Sequence, residues 1–273
     1  MLPEAASRVG RMTRVALVTG GSRGIGRATA LELAAAGLDV ALTYKRSRVD
    51  AEQVVATIEK TGRKALAIQM DLELPEEIER GMAEVGERFG HLDVLVANAA
   101  ATAFKPLLEV GRHNLERTFA ISVHGFLRLV QLSVPLMSGR LANIVAVSGW
   151  DGYRALTRHG VLGAAKAAME ALVRSLAVEL ADRDICVNAV CPGPLDTDSA
   201  RTYAGEGWDE MVENWVARTP AGRLGTAEDI ARIVRFLASN DCRWLRGQVL
   251  YADGGQSLVT EPISWFGGGR PTA

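Results

Sequence analysis

Thr19-Gly20-Gly21-Ser22-Arg23-Gly24-Ile25-Gly26 stands directly after the apolar run RVALVT (residues 14–19) and opens a stretch, residues 26–36, that reads as a helix ended by Gly37. Strand, glycine turn and helix in immediate succession make one unit. Glycines allow the chain to turn tightly and let its backbone approach a ligand, while free N–H groups and the helix dipole attract a pyrophosphate. The turn therefore points to a dinucleotide, with Gly20, Ser22, Arg23, Gly24, Ile25 and Gly26 as its candidate cradle.

Outward from this unit the pattern repeats. Apolar runs at 39–44, 65–70, 92–97, 143–148 and 185–191 alternate with helical stretches near 50–61, 75–88, 114–137 and 160–181. Thr226 can cap a last helix at 227–239, and QVLYA (248–252) makes a seventh strand before Asp253-Gly254-Gly255. This alternation predicts an α/β fold: a single Rossmann-type, doubly wound domain over residues 13–260, whose seven-stranded parallel sheet carries helices on both faces. Residues 1–12 and 261–273 read as loose tails.

Residues 195–223 interrupt the alternation. Within them Trp208, Met211, Val212, Trp215 and Val216 fall at helical spacing on one apolar face. In a parallel sheet the ligand crevice lies beyond the carboxyl ends of the strands, where this insertion leaves the sheet, so it reads as a lid over an apolar substrate. A helix packed on the core or on a neighbouring subunit is the alternative.

The chain has 273 residues, 48% hydrophobic and 23% charged, with a formal charge of -1. That balance gives no field favouring nucleic acid or an anionic membrane. Cys186, Cys191 and Cys242 show no CxxC spacing, and histidines 91, 113, 124 and 159 form no metal-ligand motif, so no metal site is expected. There is no apolar run of signal-peptide length and no window of membrane-span length, which makes the cytoplasm the expected location.

The second strand ends Thr43-Tyr44-Lys45-Arg46-Ser47-Arg48, where an acid would be needed to grip the ribose 2′-hydroxyl of NAD. Basic residues stand there instead. Lys45 and Arg46, with Arg23 from the glycine turn, are suited to a 2′-phosphate, which favours NADPH.

Further matches accompany the glycine turn: Asp71-Leu72 after strand three, Asn98-Ala99-Ala100 after strand four, and Lys166 in GAAKAAMEAL. Val187-Asn188-Ala189-Val190, Pro192-Gly193 and Asp253-Gly254-Gly255 follow. With these the chain resembles the short-chain dehydrogenase/reductase family over about residues 13–260. The resemblance implies that Asp71 and Leu72 hold the adenine, that Asn98 and the Pro192-Gly193 turn line the cofactor cleft, and that Leu195 and Thr197 flank the nicotinamide amide. It also implies that Lys166 holds the nicotinamide ribose, and that the protein is a homotetramer built on the helices at 114–137 and 160–181 and the last strand.

The family's usual catalytic set departs here. The tyrosine four residues before the lysine is Leu162, the serine is Gly149 with Ser148 adjacent, and the asparagine of the fourth helix is Ser122. Leucine can neither donate a proton nor hydrogen-bond an oxyanion. The family's enoyl-thioester reductase branch instead places its tyrosine seven residues before the lysine, where this chain has His159. The surroundings of that position, TPAGR (219–223) and RGQVLYADGGQSL (246–258) resemble the NADPH-dependent members of that branch.

The resemblance therefore implies NADPH-dependent reduction of an enoyl-CoA or enoyl-acyl carrier protein. His159 is the candidate oxyanion donor, Tyr153 its rival, and Lys166 and Ser148 complete the candidate catalytic set. Trp150, Trp208 and Trp215 suggest a bulky apolar acyl group, for which a cyclic enoyl-CoA such as 1-cyclohexenylcarbonyl-CoA is one candidate. Two other readings stand beside it: a ketone or imine reductase with a non-standard acid, and a non-redox or catalytically silent dinucleotide-binding protein.

Overall fold

In the computed structural model, which describes residues 13–259, the apolar runs become seven strands: β1 (Val15–Val18), β2 (Asp39–Tyr44), β3 (Ala65–Gln69), β4 (Val94–Ala97), β5 (Ala142–Val147), β6 (Ile185–Pro192) and β7 (Val249–Ala252). All pair in parallel, in the order β3-β2-β1-β4-β5-β6-β7. Between them lie α1 (Gly24–Ala35), α2 (Arg48–Glu59), α3 (Pro75–Phe89), α4 (Arg112–Phe119), α5 (Gly125–Leu136), α6 (Gly160–Glu179), α7 (Asp198–Ala204), α8 (Trp208–Arg218) and α9 (Ala227–Leu237).

The strands read as unbroken apolar runs because both faces of the sheet are covered. Alternate residues point to opposite faces. Leu17, Leu95, Ile144 and Val187 meet Val85 of α3, Phe126 and Leu129 of α5 and Met169 and Val173 of α6. Val18, Val96 and Val145 meet Leu33 of α1, Ile58 of α2 and Val234 of α9 in the second core. Burying each such side chain stabilises the fold by about 1.5–3 kcal/mol.

The chain winds outward from β1 to β3 and then returns to the other side of β1, so the strand order reverses between β1 and β4. A crevice opens beyond the carboxyl ends of those two strands. Thr19 and Asn98 lock its floor: the Thr19 hydroxyl accepts the backbone N–H groups of Asn98 (3.0 Å) and Ala99 (3.1 Å), and the Asn98 amide donates to the Thr19 carbonyl at 2.9 Å.

Four expectations are corrected. The helix expected over 114–137 starts at Arg112 and is interrupted by a π-helical turn, Ala120–His124, in which Ser122 is buried with an unpartnered hydroxyl. The composite helix Arg112–Leu136, 25 residues, is also long and apolar enough by composition to cross a membrane, contrary to the expectation that no window is. Its Ile121, Phe126, Leu129 and Val130 are buried in the first core. The insertion forms two helices, α7 and α8, rather than one. All five apolar residues predicted to share a face in α8 are half-buried. The fourth concerns boundaries: the last helix ends at Leu237, two residues before Ser239. The expected tails at 1–12 and 261–273 lie outside the described residues.

Candidate active site

A cleft of about 980 Å³ runs over the carboxyl ends of the strands, and it brings together residues from the glycine turn, the β2 end, β4, β5, α6 and the insertion. Its cofactor half is built by the glycine turn. Gly20 (φ +65°) and Gly24 (φ +54°) adopt left-handed backbone that other residues adopt only at a cost. A Cβ at Gly26 would lie 2.2 Å from the Gly20 carbonyl oxygen, so only glycine lets the helix start press beneath the turn. Arg23, at the N-cap of α1, offers no side-chain cap, and the first turn of the helix carries no acid. Its free N–H groups and dipole face the cleft as an anion site. These features fit a dinucleotide pyrophosphate.

Ser22, Arg23 and Ile25 line this half, as do Asp71, Leu72, Asn98, Pro192, Gly193, Leu195 and Thr197. The Thr197 hydroxyl is already engaged as the N-cap of α7, accepting the Ala200 N–H at 3.2 Å. The basic cluster divides. Lys45 Nζ lies 2.6 Å from both Asp71 and Glu73, and Arg117 pairs with Glu73 at 2.9 Å. Lys45 lines the cleft as expected but is paired with both carboxylates, so a phosphate there would compete with Asp71 and Glu73 for it. Arg23 and Arg46 are exposed, line the cleft and form no ion pair among the described residues, so they are the guanidiniums available to a 2′-phosphate.

Lys166 sits at the floor, buried, with Nζ donating to the Val147 carbonyl at 2.7 Å. Burial lowers its pKa, against the opposing charges of Asp151 and Glu170. Ser148 lines the cleft, yet its hydroxyl donates to the buried carboxylate of Glu170 at 2.5 Å. Burial pushes the nearby Cys191 thiol up to about 12, with Glu170 adding to the shift, so it is no nucleophile at neutral pH.

At the substrate end, His159 precedes α6 and lines the cleft. Its Nδ1 lies 3.2 Å from Asp151 Oδ2, while Nε2 is buried without a partner. Phe104 and Tyr203 flank the imidazole at ring-centroid distances of 4.7 and 4.6 Å. Leu162 also lines this end, four residues from Lys166. Tyr153 does not: it is 62% exposed and packs edge-on against Tyr251 at 5.4 Å, outside the cleft. The phenol present beside the histidine is that of Tyr203, whose hydroxyl donates to the Thr157 carbonyl at 3.1 Å.

Trp150 and Trp215 line the cleft together with Met211. Trp208 does not, because it lies beneath the Arg201 guanidinium at 4.6 Å, on the outer part of the insertion. Asp151, Tyr203, Phe104 and Glu170 were missed by sequence reasoning. Asp151 lies between two residues singled out, Trp150 and Tyr153, and Glu170 lies within the quoted GAAKAAMEAL stretch; Phe104 and Tyr203 stand in no motif.

Comparison with known proteins agrees with this geometry. The family model described as enoyl-(acyl carrier protein) reductase matches residues 20–257. The chain is 40% identical over 251 residues to 1-cyclohexenylcarbonyl-CoA reductase of Streptomyces collinus, covering 92% of this chain and 89% of the relative. It is 36% identical over 267 residues to tetrahydroxynaphthalene reductase of Pyricularia oryzae, covering 94% and 93%. A solved short-chain dehydrogenase from Burkholderia cenocepacia in complex with NADP superposes with a TM-score of 0.84 at 34% identity, covering 91% of this chain and 100% of that one.

Proposed function

The chain belongs to the short-chain dehydrogenase/reductase family of oxidoreductases, and we propose that it uses NADPH to reduce the carbon–carbon double bond of an α,β-unsaturated acyl thioester. The acyl group is bulky or cyclic, and the carrier is CoA or an acyl carrier protein. The Streptomyces collinus relative, named for a cyclic enoyl-CoA, supports the substrate class, and the NADP complex of the Burkholderia cenocepacia relative supports the cofactor.

One observation carries the reading. Leu162 stands where ketone reduction needs an acid, while an imidazole with an unpartnered Nε2 lines the same end of the cleft. Reduction of a ketone leaves an alkoxide that must be protonated on oxygen. Reduction of an enoyl thioester leaves an enolate whose oxygen needs only stabilising, and its α-carbon can be protonated by water. The site is therefore better suited to the second task.

NADPH, when bound, supplies the hydride that adds to the β-carbon. The N–H groups of the α1 start would hold its pyrophosphate, and Arg46 and Arg23 its 2′-phosphate. Lys166 would hold the nicotinamide ribose hydroxyls with its remaining N–H bonds and add positive potential to this end of the cleft. His159 donates from Nε2 to the thioester oxygen as negative charge develops there, a contribution of about 3–4 kcal/mol for a well-aimed donor. Trp150, Met211 and Trp215 form an apolar wall for the acyl group and exclude water from it.

The test is NADPH oxidation in the presence of linear, branched and cyclic enoyl-CoAs, with 3-ketoacyl-CoAs as comparators. The expected result is oxidation with the enoyl set alone. His159→Ala should lower kcat by about 10²–10³-fold, and Tyr153→Phe should leave it unchanged. The similarity to tetrahydroxynaphthalene reductase favours a second reading, carbonyl reduction with His159 as acid, which activity with the keto set alone would establish.

A further inference from the structure

The turn Trp150–Gly152 is pressed against the start of α6 by glycines on both sides of the contact. A Cβ at Gly163 of α6 would lie 2.3 Å from the Asp151 carbonyl oxygen, and one at Gly152 would lie 3.0 Å from the Lys166 Cβ. A Cβ at Gly149 would lie 2.5 Å from Asp151 Oδ1. Gly149 is also the position where the family resemblance would set a serine, and its bareness gives the Asp151 carboxylate its room. The side chain of Asp151 is 6% exposed and that of His159 is 15% exposed.

A buried carboxylate 3.2 Å from an imidazole nitrogen is an acceptor in search of a donor, and Nδ1–H supplies it. The ring cannot turn away, because Phe104 covers one side and Tyr203 meets it edge-on, with Tyr203 itself tied to the Thr157 carbonyl. Nε2 is thereby left without a protein partner.

From this geometry we infer that Asp151 is a positioning residue: its carboxylate accepts from Nδ1–H of His159, which fixes the neutral ring's proton there and holds the ring so that Nε2, when it carries a proton, is aimed at a substrate oxygen. Asp151 acts through His159. The neutral ring of a free histidine carries its proton mainly on Nε2, so the pairing reverses the ordinary preference. Lys166, whose charge interacts with that of Asp151, is the other charged group against the carboxylate. The inference rests on the proposed donor role of His159 for its catalytic consequence, while its structural half stands independently.

The test is the nitrogen-15 NMR spectrum of the full-length protein at a pH where the ring is neutral, with His159 identified by the signal lost in His159→Gln. The wild type should show Nδ1 protonated and Nε2 bare; a wild-type ring protonated on Nε2 overturns the inference without any variant. Asp151→Ala should shift His159 toward the Nε2-protonated form and lower kcat at least tenfold with KM for NADPH unchanged. Asp151→Asn, whose amide oxygen still accepts from Nδ1–H, should keep the tautomer and restore most of the turnover lost in Asp151→Ala. An unchanged tautomer in Asp151→Ala overturns the pairing. A changed tautomer with unchanged kcat overturns the catalytic part, since the Nε2-protonated ring then donates without Asp151; the role of His159 itself is decided by His159→Ala, and the substrate class separately by the NADPH assay.

Discussion

Arg46 and Lys45 are neighbours in sequence with opposite electrostatic situations. Lys45 is held between two carboxylates, Asp71 and Glu73, whereas Arg46 is exposed at the rim of the cleft without an ion pair among the described residues. A charge already neutralised has little to offer a phosphate. Arg46→Ala should raise KM for NADPH by about 10–100-fold, the loss of a charge-assisted hydrogen bond worth ~1.5–3 kcal/mol, and leave KM for NADH nearly unchanged. Lys45→Ala should change the NADPH to NADH preference less than threefold; a larger effect than that of Arg46→Ala would reverse the assignment. Sequence showed that the β2 end is basic. It did not show which cation is free, because Asp71 and Glu73 become neighbours of Lys45 only when β2 and β3 pair.

The same limit governed Tyr153 and Tyr203. Tyr153 was the only tyrosine between strand five and Lys166, but the close packing of the Trp150–Gly152 turn on α6 turns it outward. Tyr203 reaches His159 from an insertion whose conformation has no local periodic signal at that point.

Among the elements, α9 was legible at its start and can be tested there. Thr226 accepts the Asp229 N–H at 3.2 Å, and the Asp229 carboxylate accepts the Thr226 N–H at 2.9 Å, which is a reciprocal capping box. Thr226→Ala should lower stability by about 1 kcal/mol in urea unfolding. The Arg223 guanidinium beside Asp229, with the Thr226 N–H, holds that carboxyl at about 2. A folded-state value below the ordinary carboxylate range of about 3.9 means stability that is present above that range and lost as pH falls toward 2. Asp229→Asn should therefore be less stable than the wild type at pH 7, and the difference should shrink as pH falls from about 4 to 2. A difference independent of pH would contradict the pairing.

The α8 face was legible as five apolar residues at helical spacing, all half-buried, with Met211 and Trp215 at the cleft. Its first residue, Trp208, escaped because its partner Arg201 belongs to a separate short helix. The π-helical turn at Ala120–His124 also escaped, since an extra residue in one helical turn leaves the apolar pattern almost intact.

At the scale of the whole molecule, the doubly wound parallel sheet was legible because strands alternating with helices leave few other architectures, whereas the order β3-β2-β1-β4-β5-β6-β7 comes from the structure. β7 ends the sheet with side chains only partly covered, and Tyr153, Tyr251 and Leu258 lie exposed. The family resemblance leads to a homotetramer that uses the last strand, so light scattering at micromolar concentration should give four times the 29.2 kDa chain mass; a monomer would count against that assembly.

Substrate class is the part least fixed by fold, since one family holds relatives named for a cyclic enoyl-CoA and for a naphthalene. The most direct measurement follows the hydride itself. NADPH deuterated at the transferred C4 position would be incubated with the protein and a cyclic enoyl-CoA in ordinary water, and the product examined by mass spectrometry and NMR. The expected product is the saturated thioester with one deuterium, on the β-carbon, and a solvent proton on the α-carbon. Recovery of unreacted enoyl-CoA, together with deuterium on the carbinol carbon of a 3-hydroxyacyl-CoA when the 3-ketoacyl-CoA is offered instead, would contradict it.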